Sequence, residues 1–173
     1  MTENSRAVHN LRETYDALVV QLANAGVPDA EVDVALLVGH VLGCGRGEAE
    51  AKLIAGSTLT QDQVELLRAL GDRRAAREPL QHILGVAWFR SLTLAVGPGV
   101  FVPRPETELL AGMAIDALRA LPDPEPVAVD LGTGSGAIAL ALAMAGGLPM
   151  VAQAAACTSD PITVVVNSTL AGT

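Results

Sequence analysis

The chain has 173 residues, of which half are hydrophobic and only 2% are aromatic, and its formal net charge is −8. This length allows one domain of ordinary size or two small ones, and the core must be aliphatic. The acidic balance argues against a broad phosphate-binding surface and against direct binding of nucleic acid, and the basic run Arg73, Arg74 and Arg77 is interpreted as a solvated helix end.

Apolar residues at helical spacing predict four helices in the first 78 residues. These helices cover residues 7–25, 29–42, about 47–55 and about 61–77. Gly26 ends the first helix, and a capping box of Thr60 and Gln63 begins the fourth, which ends before Pro79. We therefore expect an all-helical bundle over residues 1–78.

The composition changes after this bundle. Residues 79–96 are rich in β-branched and aromatic side chains, which predicts a hairpin or two extended segments with a turn at Arg90-Ser91. Residues 97–108 form a loop with three prolines, and a helix is expected over about 106–120. We interpret residues 79–108 as a linker of hairpin and loop.

A strand is predicted over residues 127–131 (VAVDL), followed by a glycine loop and a helix that continues to about residue 145. Of 11 basic and 19 acidic side chains in the chain, only Asp160 lies beyond residue 143. Residues 144–173 are therefore interpreted as an atypical tail that a truncation, frameshift or fusion produced, with one possible strand over 162–166. Glycine and proline interrupt the uncharged run, so no membrane span is expected.

The glycine loop, DLGTGSG at residues 130–136, suits a nucleotide-type cofactor. Its glycines allow a tight turn and let a ligand lie against bare backbone. Gly132, Gly134 and Ala137 fit the pattern GxGxx[GA] for a dinucleotide, whose pyrophosphate binds a helix N-terminus. The carboxylate of Asp130 would repel a pyrophosphate but attract the ammonium of S-adenosylmethionine. The loop thus favours S-adenosylmethionine, and a dinucleotide site or a plain tight turn remain as alternatives.

Three motifs resemble one known family in their order and spacing. They are PLQHILG (79–85), PRPETE (103–108) and DLGTGSG (130–136). The HemK/PrmC family, which they resemble, methylates the glutamine of the Gly-Gly-Gln motif in peptide-chain release factors. The resemblance covers about residues 7–143. It implies an α/β protein in which residues 1–78 bind a release factor and residues 109–143 begin a Rossmann-like methyltransferase domain.

By this resemblance, the cofactor would be S-adenosylmethionine, bound to two groups of residues. The floor of its site would consist of Asp130, Gly132, Thr133, Gly134, Ser135 and Gly136. Its lid or flank would consist of Phe101, Arg104, Pro105, Glu106 and Thr107. An alternative role for Arg104 and Glu106 is simply to begin a helix, because proline and acidic residues favour a first turn.

The sequence departs from the family in one decisive motif. Members of the family orient the substrate amide with an Asn-Pro-Pro-Tyr loop, and this sequence contains no Asn-Pro pair. We therefore expect a protein-glutamine methyltransferase by family whose 173-residue chain has no catalytic residues and is inactive alone. Alternatives are a non-catalytic module that binds a release factor and a dinucleotide-binding fragment.

Further expectations concern the cell and the partners. The polar N-terminus and the unpaired Cys44 and Cys157 suit a cytoplasmic protein without a disulfide framework or a metal site. The expected partner is a release factor, and the expected state is a monomer.

Overall fold

The computed structural model describes residues 8–122, 128–146, 151–154 and 162–165. The chain divides into two compact units, Met1–Leu84 and Gly85–Thr173, which we call the N-terminal and the C-terminal unit. Both units contain helices and short strands, in agreement with the expected α/β class. The predicted linker, residues 79–108, spans the boundary between them.

The N-terminal unit consists of five helices and one pair of short strands. In chain order, these are β1 (Val8–Asn10), α1 (Leu11–Asn24), α2 (Ala30–Leu42), α3 (Arg46–Ile54), β2 (Thr58–Thr60), α4 (Gln61–Ala75) and α5 (Leu80–Leu84). Strands β1 and β2 are antiparallel, with His9 opposite Leu59. The first helix therefore begins at Leu11 and not at residue 7. Asn10 caps it, because its side-chain oxygen accepts a hydrogen bond of 2.8 Å from the Arg12 amide.

Aliphatic side chains of α1, α2 and α4 form the core of this unit. The most buried of them are Leu11, Leu22, Val34, Leu37, Val38, Val64 and Leu67. Helices α1 and α4 approach closely at Gly71, where a Cβ atom would lie only 2.6 Å from Cδ2 of Leu18. The predicted capping box of Thr60 and Gln63 begins α4, with both reciprocal hydrogen bonds formed.

The basic run at the end of α4 is solvated only in part, because Arg73 and Arg77 are exposed and Arg74 is not. Nε of Arg74 lies 2.7 Å from Oδ2 of Asp33 in a mostly buried ion pair. Arg73 donates to the carboxylate of Glu78, and Arg77 donates to the carbonyl oxygen of Gly26. The interpretation as a solvated helix end is wrong for Arg74, because a partner 41 positions away in the sequence holds it.

The segment after α4 begins with a helical turn, which corrects the prediction of extended structure from residue 79. In α5, the amides of His82 and Ile83 donate to the carbonyl oxygen of Pro79, at 3.0 and 3.2 Å. Leu80, Ile83 and Leu84 are buried at the i, i+3, i+4 spacing of one helix face. Five residues are too short for this period to stand out in a sequence that continues into strands.

The C-terminal unit begins with the predicted hairpin. Its elements are β3 (Val86–Phe89), β4 (Leu92–Ala95), α6 (Pro105–Arg119), α7 (Ala137–Gly146), β5 (Val151–Ala154) and β6 (Ile162–Val165). Phe89 pairs with Leu92 across the turn at Arg90-Ser91. The hairpin packs through Phe89 and Leu94 on alanines of α6 and α7, such as Ala111 and Ala141. A second cluster joins α6 and α7 through Ile115 and Leu142.

The predicted strand over residues 127–131 is not formed in its described part. Residues 128–130 have no regular structure, and Leu131 makes one isolated bridge. Strands β5 and β6 pair antiparallel with each other, and β5 is an element that the sequence did not predict. A strand needs at least one hydrogen-bonded neighbour, and none among the described strands pairs with 128–130. No helix in the described ranges is both long and apolar enough to span a membrane.

Candidate functional site

The glycine loop has the backbone that its sequence predicts. Gly132, Gly134 and Gly136 have φ angles of +77°, +55° and +76°, a region that favours glycine. The amide of Gly136 donates to the carbonyl oxygen of Thr133 at 2.9 Å, and the carbonyl oxygen of Gly136 accepts from Leu140 at 2.9 Å. The loop thus turns tightly and leads directly into α7.

Asp130 is fixed at the start of this loop. Its Oδ2 accepts a hydrogen bond of 3.0 Å from the hydroxyl of Thr133, and both residues are half-buried. Around Gly132, no atom lies within 4 Å of the position that a Cβ would take. The loop therefore presents an oriented carboxylate beside open space and bare backbone, an arrangement that suits a ligand with a cationic group.

Phe101 lies against the glycine loop. A Cβ atom added to Gly134 would lie 3.7 Å from Cβ of Phe101, which is ordinary van der Waals contact. The guanidinium of Arg104 lies 5.8 Å from the centre of the Phe101 ring, within the range of a cation–π interaction. The structure thus brings Phe101 to the predicted floor of the site, with Arg104 next to it.

Pro105, Glu106 and Thr107 form the first turn of α6. Pro105 occupies its first position, Glu106 is exposed, and the amide of Thr107 donates to the carbonyl oxygen of Arg104 at 3.0 Å. This geometry is that of an ordinary helix start. A cofactor role for these three residues stays a prediction.

One contact that orients this region was missed by sequence reasoning. Glu108 accepts a hydrogen bond of 3.0 Å from the backbone amide of Arg90, and the Arg90 guanidinium donates to the Glu108 carbonyl oxygen at 3.0 Å. Arg90 has a φ of +53°, which places it at the hairpin tip. The contact fixes the hairpin to the first turn of α6, next to Arg104. The predicted turn at Arg90-Ser91 was the only sequence signal for it.

Comparison with known proteins agrees with the resemblance found in the sequence. The family model for the PrmC N-terminal domain matches residues 13–85. The release factor glutamine methyltransferase of Streptomyces coelicolor is 53% identical over 101 residues, which are 58% of this chain and 34% of that protein. The proteins of the same name from Bifidobacterium longum and Deinococcus radiodurans are 46% identical over 99 residues and 38% identical over 114 residues.

These matches concern only part of each relative. The alignments cover 57% and 66% of this chain, and 34% and 40% of the relatives from Bifidobacterium and Deinococcus, respectively. The chain thus aligns with little more than a third of the curated relatives' length. The recognition made from the three sequence motifs is confirmed. Residues 13–85 match the model of the PrmC N-terminal domain, and the chain is similar to the N-terminal part of proteins named release factor glutamine methyltransferase.

Proposed function

We propose that the chain is the release-factor-binding and cofactor-binding part of an S-adenosylmethionine-dependent glutamine methyltransferase. The observation that carries the proposal is the 53% identity to a protein named release factor glutamine methyltransferase. The match of residues 13–85 to the PrmC N-terminal domain supports it independently of the glycine loop. The target would be the glutamine of the Gly-Gly-Gln motif of a release factor.

The N-terminal unit would bind the release factor. It has a core of its own and an internal ion pair between Asp33 and Arg74, so its surface can serve as a preformed docking platform. A preformed surface costs little ordering entropy when a partner binds. The cytoplasmic location and the monomeric state stay predictions alongside this role.

The glycine loop would hold the cofactor. S-adenosylmethionine supplies an electrophilic methyl group on a sulfonium when it is bound. Asp130, held by Thr133, would accept hydrogen bonds from a cationic or hydroxyl group of that ligand. The bare backbone at Gly132 and Gly134 would let the ligand approach, and Phe101 would cover one side. A dinucleotide fits less well because its pyrophosphate would face the Asp130 carboxylate.

Methyl transfer needs more than this site. A side-chain amide is a weak nucleophile, since its nitrogen lone pair is delocalised, and an enzyme must orient it towards the methyl group. The sequence contains no Asn-Pro pair that could form the family's substrate loop. We therefore expect the 173-residue chain to bind its partners without transferring the methyl group.

Titration calorimetry with two ligands tests the cofactor assignment. S-adenosylhomocysteine should bind the full chain, and NAD should not. Asp130→Asn should weaken binding roughly tenfold because a charge-assisted hydrogen bond is lost. Asp116→Asn, on the exposed surface of α6, is the matched control and should leave the affinity unchanged. Binding of NAD alone would make the chain a dinucleotide-binding fragment.

A pull-down with a bacterial release factor, followed by mass analysis of its Gly-Gly-Gln peptide, tests the partner and the reaction. Retention of the release factor without added methyl mass supports the proposal. Detectable methylation by the pure 173-residue chain would contradict the expected inactivity. Failure to retain any release factor would contradict the docking role.

A further inference from the structure

The covered side of strand β1 carries a histidine with an unsatisfied ring nitrogen. His9 lies opposite Leu59, which is 1% exposed, whereas its neighbours Val8 and Asn10 are exposed. Side chains alternate along a strand and opposite residues share a face, so the His9 side chain lies on the covered side of β1. Its Nε2 atom is buried and forms no hydrogen bond with any described residue. Leaving such an atom unpaired is costly, so we expect a bound molecule to satisfy it.

A pocket of about 190 Å³ lies beside this histidine. His9 of β1, one face of α1 and Arg68 of α4 line it, and Ala17 and Leu18 form its apolar part. Near the C-terminal end of α1, Nε2 of Gln21 donates to Oδ1 of Asp72 at 2.7 Å and joins α1 to α4. Room for one water molecule takes only about 10–15 Å³. The pocket is therefore large enough for a small organic molecule.

Two opposite charges line this pocket without pairing. Glu13 of α1 and Arg68 of α4 are exposed, and the side chain of neither has an ion-pair or hydrogen-bond partner among the described residues. In contrast, Arg73 and Arg74 of the same helix both pair with carboxylates. Because Glu13 and Arg68 share one pocket but form no ion pair with each other, a molecule with charges of both signs can contact both at once.

We propose that this pocket binds a small zwitterion of the α-amino acid type. The ligand carboxylate accepts hydrogen bonds from the Arg68 guanidinium and from Nε2–H of His9, and the ligand ammonium pairs with Glu13. A simple anion would be repelled by Glu13 and a simple cation by Arg68, so neither fits as well. Ala17 and Leu18 provide an apolar wall for a short side chain. The site belongs to the N-terminal unit alone and does not rest on the proposed function.

Proton NMR of the full chain tests this site. The chain contains three histidines, and His9→Gln identifies the ring resonances of His9 by their loss. L-alanine is titrated in parallel with propionate, which lacks the ammonium, and with ethylamine, which lacks the carboxylate. We expect L-alanine to shift the His9 resonances saturably, and each single-charge analogue to bind roughly tenfold more weakly.

Three variants assign the charges. Arg68→Gln and Glu13→Gln should each weaken L-alanine binding roughly tenfold. Both should keep the circular dichroism spectrum of the parent chain, because neither side chain has a partner among the described residues. Arg12→Gln removes an exposed arginine of α1 that lies outside the pocket, and this matched control should leave the affinity unchanged.

Three results would overturn the proposal. The first is no saturable shift with L-alanine, which would mean that the pocket holds only water. The second is equal binding of L-alanine and a single-charge analogue, and the third is unchanged L-alanine binding by the Arg68 or Glu13 variant. None of these readouts needs a release factor or a methyl donor, so failure here is distinct from failure of the proposed function.

Discussion

Asp33 is a buried charge in the N-terminal unit, where its carboxylate lies 2.7 Å from the guanidinium of Arg74. Removal of one partner from a buried pair leaves the other charge unsatisfied, which is costly. We predict that Asp33→Ala lowers the free energy of unfolding by about 3 kcal/mol. Urea unfolding followed by circular dichroism measures this.

The control for this prediction is a pair at the surface. Oε1 of Glu48 lies 3.2 Å from Nζ of Lys52, and 60% of the Glu48 side chain and 40% of the Lys52 side chain are exposed. Exposed pairs contribute about 0–1 kcal/mol, so Glu48→Ala should change the unfolding free energy by less than about 1 kcal/mol. If Asp33→Ala and Glu48→Ala lowered the free energy of unfolding equally, burial of the Asp33 pair would add nothing to the cost of breaking it.

The ion pair of Glu78 and Arg73 makes the stability of the N-terminal unit depend on pH in the acid range. Its hydrogen bonds with the guanidinium of Arg73 hold the pKa of the Glu78 carboxyl below its usual value of 4.5. The pair's contribution to stability is therefore complete above pH 4.5 and is lost as the pH falls through the lower folded-state pKa. We predict that lowering the pH from 6 to 3 reduces the free energy of unfolding less in the Glu78→Gln variant than in the parent chain. Urea unfolding at the two pH values measures this. If the variant lost as much unfolding free energy between pH 6 and pH 3 as the parent chain does, this prediction would be contradicted.

Residue-level features were predictable when they were local. The capping box of Thr60 and Gln63 joins residues three positions apart, and its sequence pattern identified it. The ion pair of Asp33 and Arg74 joins residues 41 positions apart, and no local pattern indicates that those two charges meet. The glycine conformations followed from the loop motif, whereas the contact of Phe101 with Gly134 depends on packing.

At the level of elements, two glycines in helices provide a contrast. A Cβ on Gly39 in α2 would lie 2.8 Å from the backbone oxygen of Cys44, while a Cβ on Gly47 in α3 would meet no atom within 4 Å. We predict that Gly39→Ala destabilises the chain by about 1–2 kcal/mol, because the clash is with backbone. Gly47→Ala should stabilise it by about 0.5 kcal/mol through helix propensity.

Thermal unfolding of both variants beside the parent chain measures the contrast. The melting temperature should fall for Gly39→Ala and rise slightly for Gly47→Ala. If both substitutions raise it, then α2 tolerates a closer approach to Cys44 than the packing indicates.

Helices with a strong apolar period were predicted better than strands. The helices α1, α2, α3, α4 and α6 match the predicted segments within a few residues at their ends. The segment over 127–131 was predicted as a strand from its composition, and its described part is not one. A helix makes its hydrogen bonds internally, so its own sequence suffices, whereas a strand depends on neighbours that lie elsewhere in sequence.

On the scale of the whole molecule, the two units differ in how they bury apolar surface. The N-terminal unit covers its core with its own helices, and fully buried residues such as Leu11, Leu37 and Leu67 come from three of them. The C-terminal unit leaves large aliphatic side chains uncovered, with Leu109 and Leu131 both more than half exposed. Stability of a small domain depends on the fraction of apolar surface that it removes from water. The N-terminal unit is therefore expected to fold alone. The C-terminal unit, which buries a smaller part of its apolar surface, is expected to be less stable.

This difference predicts the behaviour of two fragments. Residues 1–84 should unfold in one cooperative urea transition, with an m-value of about 1 kcal/mol/M that suits a small domain. Residues 85–173 should show no cooperative transition and should enhance the fluorescence of the dye ANS, because exposed aliphatic side chains such as Leu109 and Leu131 are open to it. Leu109→Asp/Met113→Asp in this second fragment should reduce the dye signal. A second fragment that unfolds cooperatively and leaves ANS fluorescence unchanged would contradict this prediction, because its exposed leucines would then be covered in solution.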